Sequence, residues 1–259
     1  MAKVLGIISG KGGVGKTTTA INLGLALNNF GRRVVVVDGD LLKPNLAHCL
    51  GFSKQLEHTI HNALLKGKQL DEMVYVHTSG LKFIPGDTSQ KWLKSDIKLK
   101  KSLLEEMKSS ELVILDTPPG YSPEAVSAIK ACDAVIVVVT PETAAVAEGL
   151  RCIRFATSLG TTVLGVVVNR YDEGRSYLTP EDIAKVTGKE VIAVIAEEEN
   201  MSEALKEGHP IVYLMPESKA TTGYKQLAAK LLGERYVDIT EKMERESLFN
   251  RILKKLNLV

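Results

Sequence analysis

The sequence predicts an α/β fold with a mostly parallel central sheet and helices on both faces. Three observations carry that prediction. Short β-branched runs alternate with longer amphipathic stretches along the 259 residues. Runs such as "RRVVVVD" and "DAVIVVV" are apolar without alternation, as strands covered on both faces are. The helical patterns between the runs supply the crossovers that parallel neighbours need.

The elements follow in chain order. Strands are expected at 3–9, 33–38, 111–116, 133–139, 162–168 and 190–195, with a helix after the first glycine-rich loop and another at 59–66. "VYVHTSGLKFIP" (74–85) reads as two short strands or a strand and a loop, so the sheet is expected to have an antiparallel or irregular edge. A last helix of the body spans about 219–232. The polar, heavily charged 234–246 then reads as a tether, and "LFNRILKKLNLV" follows it. No internal repeat, low-complexity segment or Pro/Gly/Ser linker divides the chain, so residues 1–233 are expected to form one domain and 247–259 a separate C-terminal helix.

Composition narrows the function classes. The chain has 33 basic and 31 acidic residues and 44% hydrophobic content, enough for a sizeable core. Arg251, Lys254 and Lys255 are the only charges in 247–259; without them the body has 30 basic against 31 acidic residues. A body so balanced gives no global signal for nucleic acid. Cys49, Cys132 and Cys152 lie far apart among apolar residues and read as buried thiols of a reducing compartment, with neither a disulfide framework nor a C-x-x-C metal site. The first residues run straight into a strand pattern, and no run approaches 18 apolar residues; a cytosolic location is therefore expected.

"SGKGGVGKTT" (9–18) carries the chemistry. Gly10, Gly15, Lys16 and Thr17 satisfy G-x-x-x-x-G-K-[ST], preceded by a strand and followed by the helical "TTAINLGLALNNFG". That context marks a phosphate-binding loop. Its backbone amides, through Gly12, Gly13, Val14 and Thr18, can curl around phosphates, and the helix N-terminus adds donors and the positive end of its dipole. Lys16 is placed to reach the β- and γ-phosphates and the Thr17 hydroxyl to ligate Mg²⁺. Acidic support for that ion can come from two strand ends, Asp116 of "VILDTPPG" and Asp38 of "VVDGDLLKPN". Asp40, two residues on and pointing differently, is assigned to orienting the attacking water. The amide of Gly120 can sense a γ-phosphate.

Lys11 is surplus to this loop, because Lys16 and the amides already serve it. "KGGVGKTT" resembles the deviant Walker A motif of the MinD/ParA family of P-loop ATPases, whose early lysine reaches across a nucleotide-sandwich dimer to the partner's phosphates. The resemblance covers about residues 1–232. "VVDGDLLKPNLAHCLG" (36–51) is similar to the family's first switch and "VILDTPPG" (113–120) to its second. "VVVNRYD" (166–172) resembles the strand end where the family's Asn, here Asn169, recognises adenine, with Arg170 packing nearby. "EEENMSEALKEGHPIV" (197–212) is similar to the stretch that brings Glu197 toward the base, although Ala196 stands where the family usually has proline. The resemblance implies a three-layer P-loop NTPase fold, ATP/ADP and Mg²⁺ as ligands, ATP-dependent homodimerisation, and a catalytic role in trans for Lys11, comparable to that of an arginine finger.

Among the branches of the family, iron–sulfur assembly needs matched cysteines that this chain lacks. A DNA-moving, ParA-like branch would need a basic patch. Lys91, Lys94, Lys98, Lys100 and Lys101 form one in which Trp92 is the only interleaved aromatic, which reads as a solvated face, so nucleic acid is not expected as a partner. The tail fits the MinD branch. On a helical wheel Leu248, Phe249, Ile252, Leu253, Leu256 and Val259 fall within roughly 140°, with the three cations on the flank. Such a segment suits reversible docking on an anionic membrane surface. A last helix packed on the body or on a dimer partner is the alternative. The resulting expectation is a MinD-like ATPase, cytoplasmic and peripheral on the inner face of the membrane, that positions division or other polar machinery with an unidentified regulatory or cargo protein. A ParA-like partitioning ATPase or a soluble nucleotide switch is the rival.

Overall fold

The structure is a computed structural model that describes residues 1–89, 98–234 and 236. Its centre is an eight-stranded sheet in the order β3-β4-β2-β5-β1-β6-β7-β8. The strands are β1 (Lys3–Ile8), β2 (Val34–Asp38), β3 (Tyr75–Val76), β4 (Lys82–Ile84), β5 (Leu112–Asp116), β6 (Ala134–Val139), β7 (Thr162–Tyr171) and β8 (Val191–Ala196). All neighbours are parallel except β3 against β4, so the irregular edge lies where the "VYVHTSGLKFIP" segment suggests it. The six longer strands match the predicted runs. The one sizeable difference is β7, which continues to Tyr171, because β8 keeps pairing with it as far as Tyr171↔Ala196 past a register shift.

The sheet divides two cores. On one face α1 (Lys16–Asn29) and α10 (Lys219–Leu232) bury Ile21, Leu23, Leu27, Tyr224 and Leu227 against Val36, Ile114, Ile136 and Ile195. On the other face α3 (Ile60–Lys66), α5 (Pro123–Lys130), α6 (Thr143–Ser158) and α7 (Pro180–Thr187) cover Val35, Val113, Val137 and Val166. Strand residues of both parities are therefore buried, which is why β2 and β6 read as unbroken apolar runs. Short helices fill the connections: α2 (Leu46–Cys49), α4 (Lys101–Glu105), α8 (Met201–Lys206) and α9 (Ile211–Leu214). Among the described residues no helix is long and apolar enough to cross a membrane.

This topology sets the site. β1 lies between β5 and β6, and β2 lies beyond β5, so the carboxyl ends of β1, β2 and β5 converge at the crevice where ligands bind in open α/β sheets. Asp38 and Asp116 are direct register partners across β2 and β5. The predicted tether and C-terminal helix lie outside the described residues apart from Glu234 and Tyr236, as do Lys91 and Lys94 of the lysine-rich stretch.

Candidate functional site

The loop between β1 and α1 is shaped by its glycines. Gly15 caps α1 with φ 96°, in the left-handed region. A Cβ there would stand 2.2 Å from the Asn169 amide nitrogen, so a side chain is excluded by space as well as by backbone angle. Gly12 and Gly13 are exposed, and nothing lies within 4 Å of where a Gly13 Cβ would be, which leaves their backbone open to a ligand. Val14 is buried and pins the far side of the loop.

Three buried charged groups, Lys16, Asp38 and Asp116, lie behind the loop, with Asp40 near them. Lys16 is 8% exposed, and its pKa is lowered by desolvation, an effect opposed by Asp116 and Asp40. The Thr17 hydroxyl donates to Asp116 Oδ2 at 2.5 Å, with Asn45 Oδ1 more distant at 3.3 Å. Burial pushes the Asp116 carboxyl up to about 6, against the Thr17 hydrogen bond and the charge of Lys16. Its second oxygen, Oδ1, is buried with no hydrogen-bond partner. Asp38 is 1% exposed and held well above the usual carboxylate range, first by burial and then by the charge of Asp116. Two buried carboxylates, one with an orphaned oxygen, beside a threonine hydroxyl and an open amide cradle fit a hard divalent cation bound with a phosphate chain. Mg²⁺ would sit against Thr17 and Asp116 and supply Lewis-acid neutralisation of phosphate charge.

The other predicted residues carry local commitments. Asp38 accepts from the Leu46 amide at 3.0 Å and the Asp40 amide at 3.3 Å, so its two oxygens organise the loop after β2. Asp40 accepts from the Lys43 amide at 2.9 Å and closes its own turn at the rim. Gly120, expected to face a γ-phosphate, donates its amide to the Ser9 carbonyl at 3.0 Å, so sensing requires that bond to open. Lys11 is half-exposed, with its ammonium 3.2 Å from Glu142 Oε2. Glu142 follows the end of β6 and was missed by sequence reasoning: only the adjacency of β1 and β6 brings it to the loop. Asn45 was missed for a similar reason, since it approaches Thr17 through the fold of the loop after β2.

A second cleft, about 180 Å³, opens beside the loop between Gly15, Thr18, Asn169, Arg170, Ala196, Glu197, Glu198 and Met201. Asn169 is buried and donates its side-chain amide to the Val14 carbonyl at 2.8 Å, leaving its Oδ1 as an acceptor. Arg170 has φ 58° and is the only non-glycine residue at positive φ among the described residues; local backbone strain of this kind gathers at ligand sites. Glu197 donates its backbone amide to the Tyr171 carbonyl at 2.8 Å and keeps its side chain exposed. The phosphate cradle and this cleft are contiguous through Gly15 and Thr18, as the two halves of a nucleotide require.

Comparisons with known proteins agree with this geometry. The family model described as ParA, NUBPL iron-transfer P-loop NTPase, matches residues 1–232. An uncharacterized ATP-binding protein of Methanocaldococcus jannaschii is 33% identical over 261 residues, covering 99% of this chain and 97% of that protein. Two solved structures are similar at 30% identity. The septum site-determining protein MinD of Pyrococcus horikoshii, complexed with Mg-ADP, has a TM-score of 0.82 over 89% of this chain and 96% of that one. The cell division ATPase MinD of Pyrococcus furiosus has a TM-score of 0.84 over 90% and 99%.

Proposed function

This chain belongs to the MinD/ParA family of P-loop ATPases, and from that premise we propose that it is a Mg²⁺-dependent ATPase whose ATP-bound form is a homodimer docked on an anionic membrane surface. Hydrolysis resets it, and the cycle positions division or other polar machinery on the inner face of the membrane.

The observation that carries the reading is the contrast between two lysines of one loop. Lys16 is buried in its own cradle, whereas Lys11 stands half-exposed and held by a single exposed carboxylate, Glu142. An ion pair exposed to that degree contributes well under about 1 kcal/mol, so it is readily exchanged for a stronger anion. A polyphosphate presented by a second copy is such an anion. Lys11 would then stabilise charge on the partner's phosphates while Asp40, freed from its turn, orients water. Two weak tail helices on one dimer gain by effective concentration, which links nucleotide state to membrane residence.

An iron-transfer role finds little support in the thiols. Burial raises all three: Cys49 to about 11, Cys152 to about 12 and Cys132 further still, away from the thiolate form that binds metal. Cys49, expected as a buried thiol, is only half-buried: it is the last residue of the one-turn helix α2, whose only buried side chain is Leu46. The DNA-partitioning reading is weakened at Lys101, which is held by Asp133 at 2.7 Å and Glu105 at 3.7 Å.

The test is sedimentation velocity with ADP and with a slowly hydrolysed ATP analogue. Wild type should dimerise only with the analogue. Lys11→Ala should bind nucleotide as a monomer and fail to dimerise; dimerisation at wild-type affinity would end this reading of Lys11.

A further inference from the structure

At the end of the sheet opposite the phosphate loop lies an apolar groove of about 400 Å³. Its floor is the start of β1 at Val4 and Leu5, its walls are Leu27 of α1 and Leu112 of β5, and Leu231 and Leu232 close α10 against it. Leu164 of β7 lines it while 42% exposed. The rim charges are largely settled among themselves: Arg32 pairs with Glu111 at 2.9 Å and Asp133 with Lys101 at 2.7 Å. No part of the nucleotide site reaches this groove, and its lining calls for an apolar occupant.

The chain itself leads to that occupant. α10 ends with Gly233 at φ 70°, where the Gly233 amide bonds to the Lys230 carbonyl at 3.1 Å and the Glu234 amide to the Ala229 carbonyl at 2.9 Å. This is a Schellman cap, which reverses the chain at the helix end. Tyr236 then packs edge-to-face on Phe30, with ring centroids 6.3 Å apart. Phe30 ends α1, between the groove residues Leu27 and Arg32, so the exiting backbone already stands on the groove's rim. Residues 237–246 can span up to about 35 Å, ample to set 247–259 across it, and a helix of that length is about 20 Å long.

We propose that the groove holds the apolar face of the chain's own residues 247–259, docked in cis, when that face is on no other surface. The docked tail hides Leu248, Phe249, Ile252 and Leu253, the side chains that a membrane would otherwise take. Groove and lipid therefore compete for one face, and a dimer that offers two tails to one surface tips the competition toward lipid. This inference rests on reading 247–259 as an amphipathic helix and is independent of its affinity for membrane.

The test is amide hydrogen exchange of the full chain in ADP, without lipid, comparing wild type with Leu164→Glu and with the double variant Phe249→Ser, Leu253→Ser. Leu164 is exposed and outside the nucleotide site, and the double variant leaves the body untouched. Docking predicts that exchange across 248–256 is slower in wild type than in Leu164→Glu by roughly tenfold, equivalent to about 1.4 kcal/mol. The double variant should speed exchange at Leu231 and Leu232. Equal tail exchange in wild type and Leu164→Glu would overturn the proposal, as would protection that grows with protein concentration, since the groove would then hold a neighbour's tail. The same samples on anionic vesicles separate this from the membrane reading. If Leu164→Glu binds vesicles several-fold better in ADP, both stand; if the tail is protected but no form binds vesicles, the groove stands and the membrane role fails.

Discussion

Asp116→Asn should make the ligand-free protein more stable while abolishing its response to Mg²⁺ and ATP. Asp116 is 2% exposed and its pKa is pushed from 3.8 to about 6, so ionisation in the folded state is opposed by roughly 3 kcal/mol at neutral pH. Asparagine removes that charge and keeps an acceptor for the Thr17 hydroxyl. Its amide replaces the oxygen that has no partner and can face Asp38, whose own ionisation Asp116 opposes. Allowing about 1 kcal/mol for imperfect pairing of the new donor leaves about 2 kcal/mol, or roughly 4–8 °C in Tm for a chain of this size. A group with a raised folded pKa has its full stability below the unfolded value and loses it as pH rises through the folded one. The advantage of asparagine should therefore be present above pH 6 and shrink toward pH 3.8. Thermal melts in EDTA at several pH values measure this. With excess Mg²⁺ and ATP the order should invert, because only wild type gains binding free energy, about 2.7 kcal/mol at 100 times Kd. A variant melting below wild type in EDTA at neutral pH, or an advantage that persists at pH 4, would refute the argument.

Other predictions concern neighbouring positions. Gly15→Ala should lower ATP affinity by at least about tenfold in calorimetry, because its Cβ would meet the Asn169 amide at 2.2 Å and part Asn169 from the Val14 carbonyl; unchanged affinity would mean that Asn169 does not shape the base cleft. Asp40→Ala should dimerise with ATP and stay on membrane while phosphate release falls to background, and brisk turnover would assign the water to another residue. His61 is buried, its Nε2 on the Leu41 carbonyl and its Nδ1 accepting from the Asp87 amide, both at 3.0 Å, and desolvation lowers its pKa. Its neutral form is the folded one, so its contribution to stability is present above pH 6.5 and is lost as pH falls below that value. Chemical denaturation of His61→Gln should show a flatter pH dependence between 7 and 5 than wild type does.

Much of the fold was legible because the sheet is buried on both faces: unbroken runs such as Val34–Val37 and Val135–Val139 leave little choice of element or class. The loop residues from Gly10 to Thr18 were legible because phosphate binding demands glycines and one lysine at fixed spacing. The edge pair β3 and β4 was ambiguous, since strands of two and three residues carry almost no period. What sequence could not supply was contact across strands. Glu142 meets Lys11 only because β6 lies beside β1, and Asn169 meets Val14 across 155 positions. The sequence pattern also left open which state the switches occupy. The Gly120 amide on the Ser9 carbonyl and the Lys43 amide on Asp40 are closed bonds that a ligand must exchange for its own.

Nucleotide-gated membrane docking through residues 247–259 is tested most directly by sedimentation with anionic liposomes, in ATP and in ADP, of the full chain and of one ending at Glu246. Only the full chain should pellet, and more of it with ATP than with ADP. Equal pelleting of both chains, or none by either, would contradict it and leave residues 247–259 as part of the fold or of a protein interface.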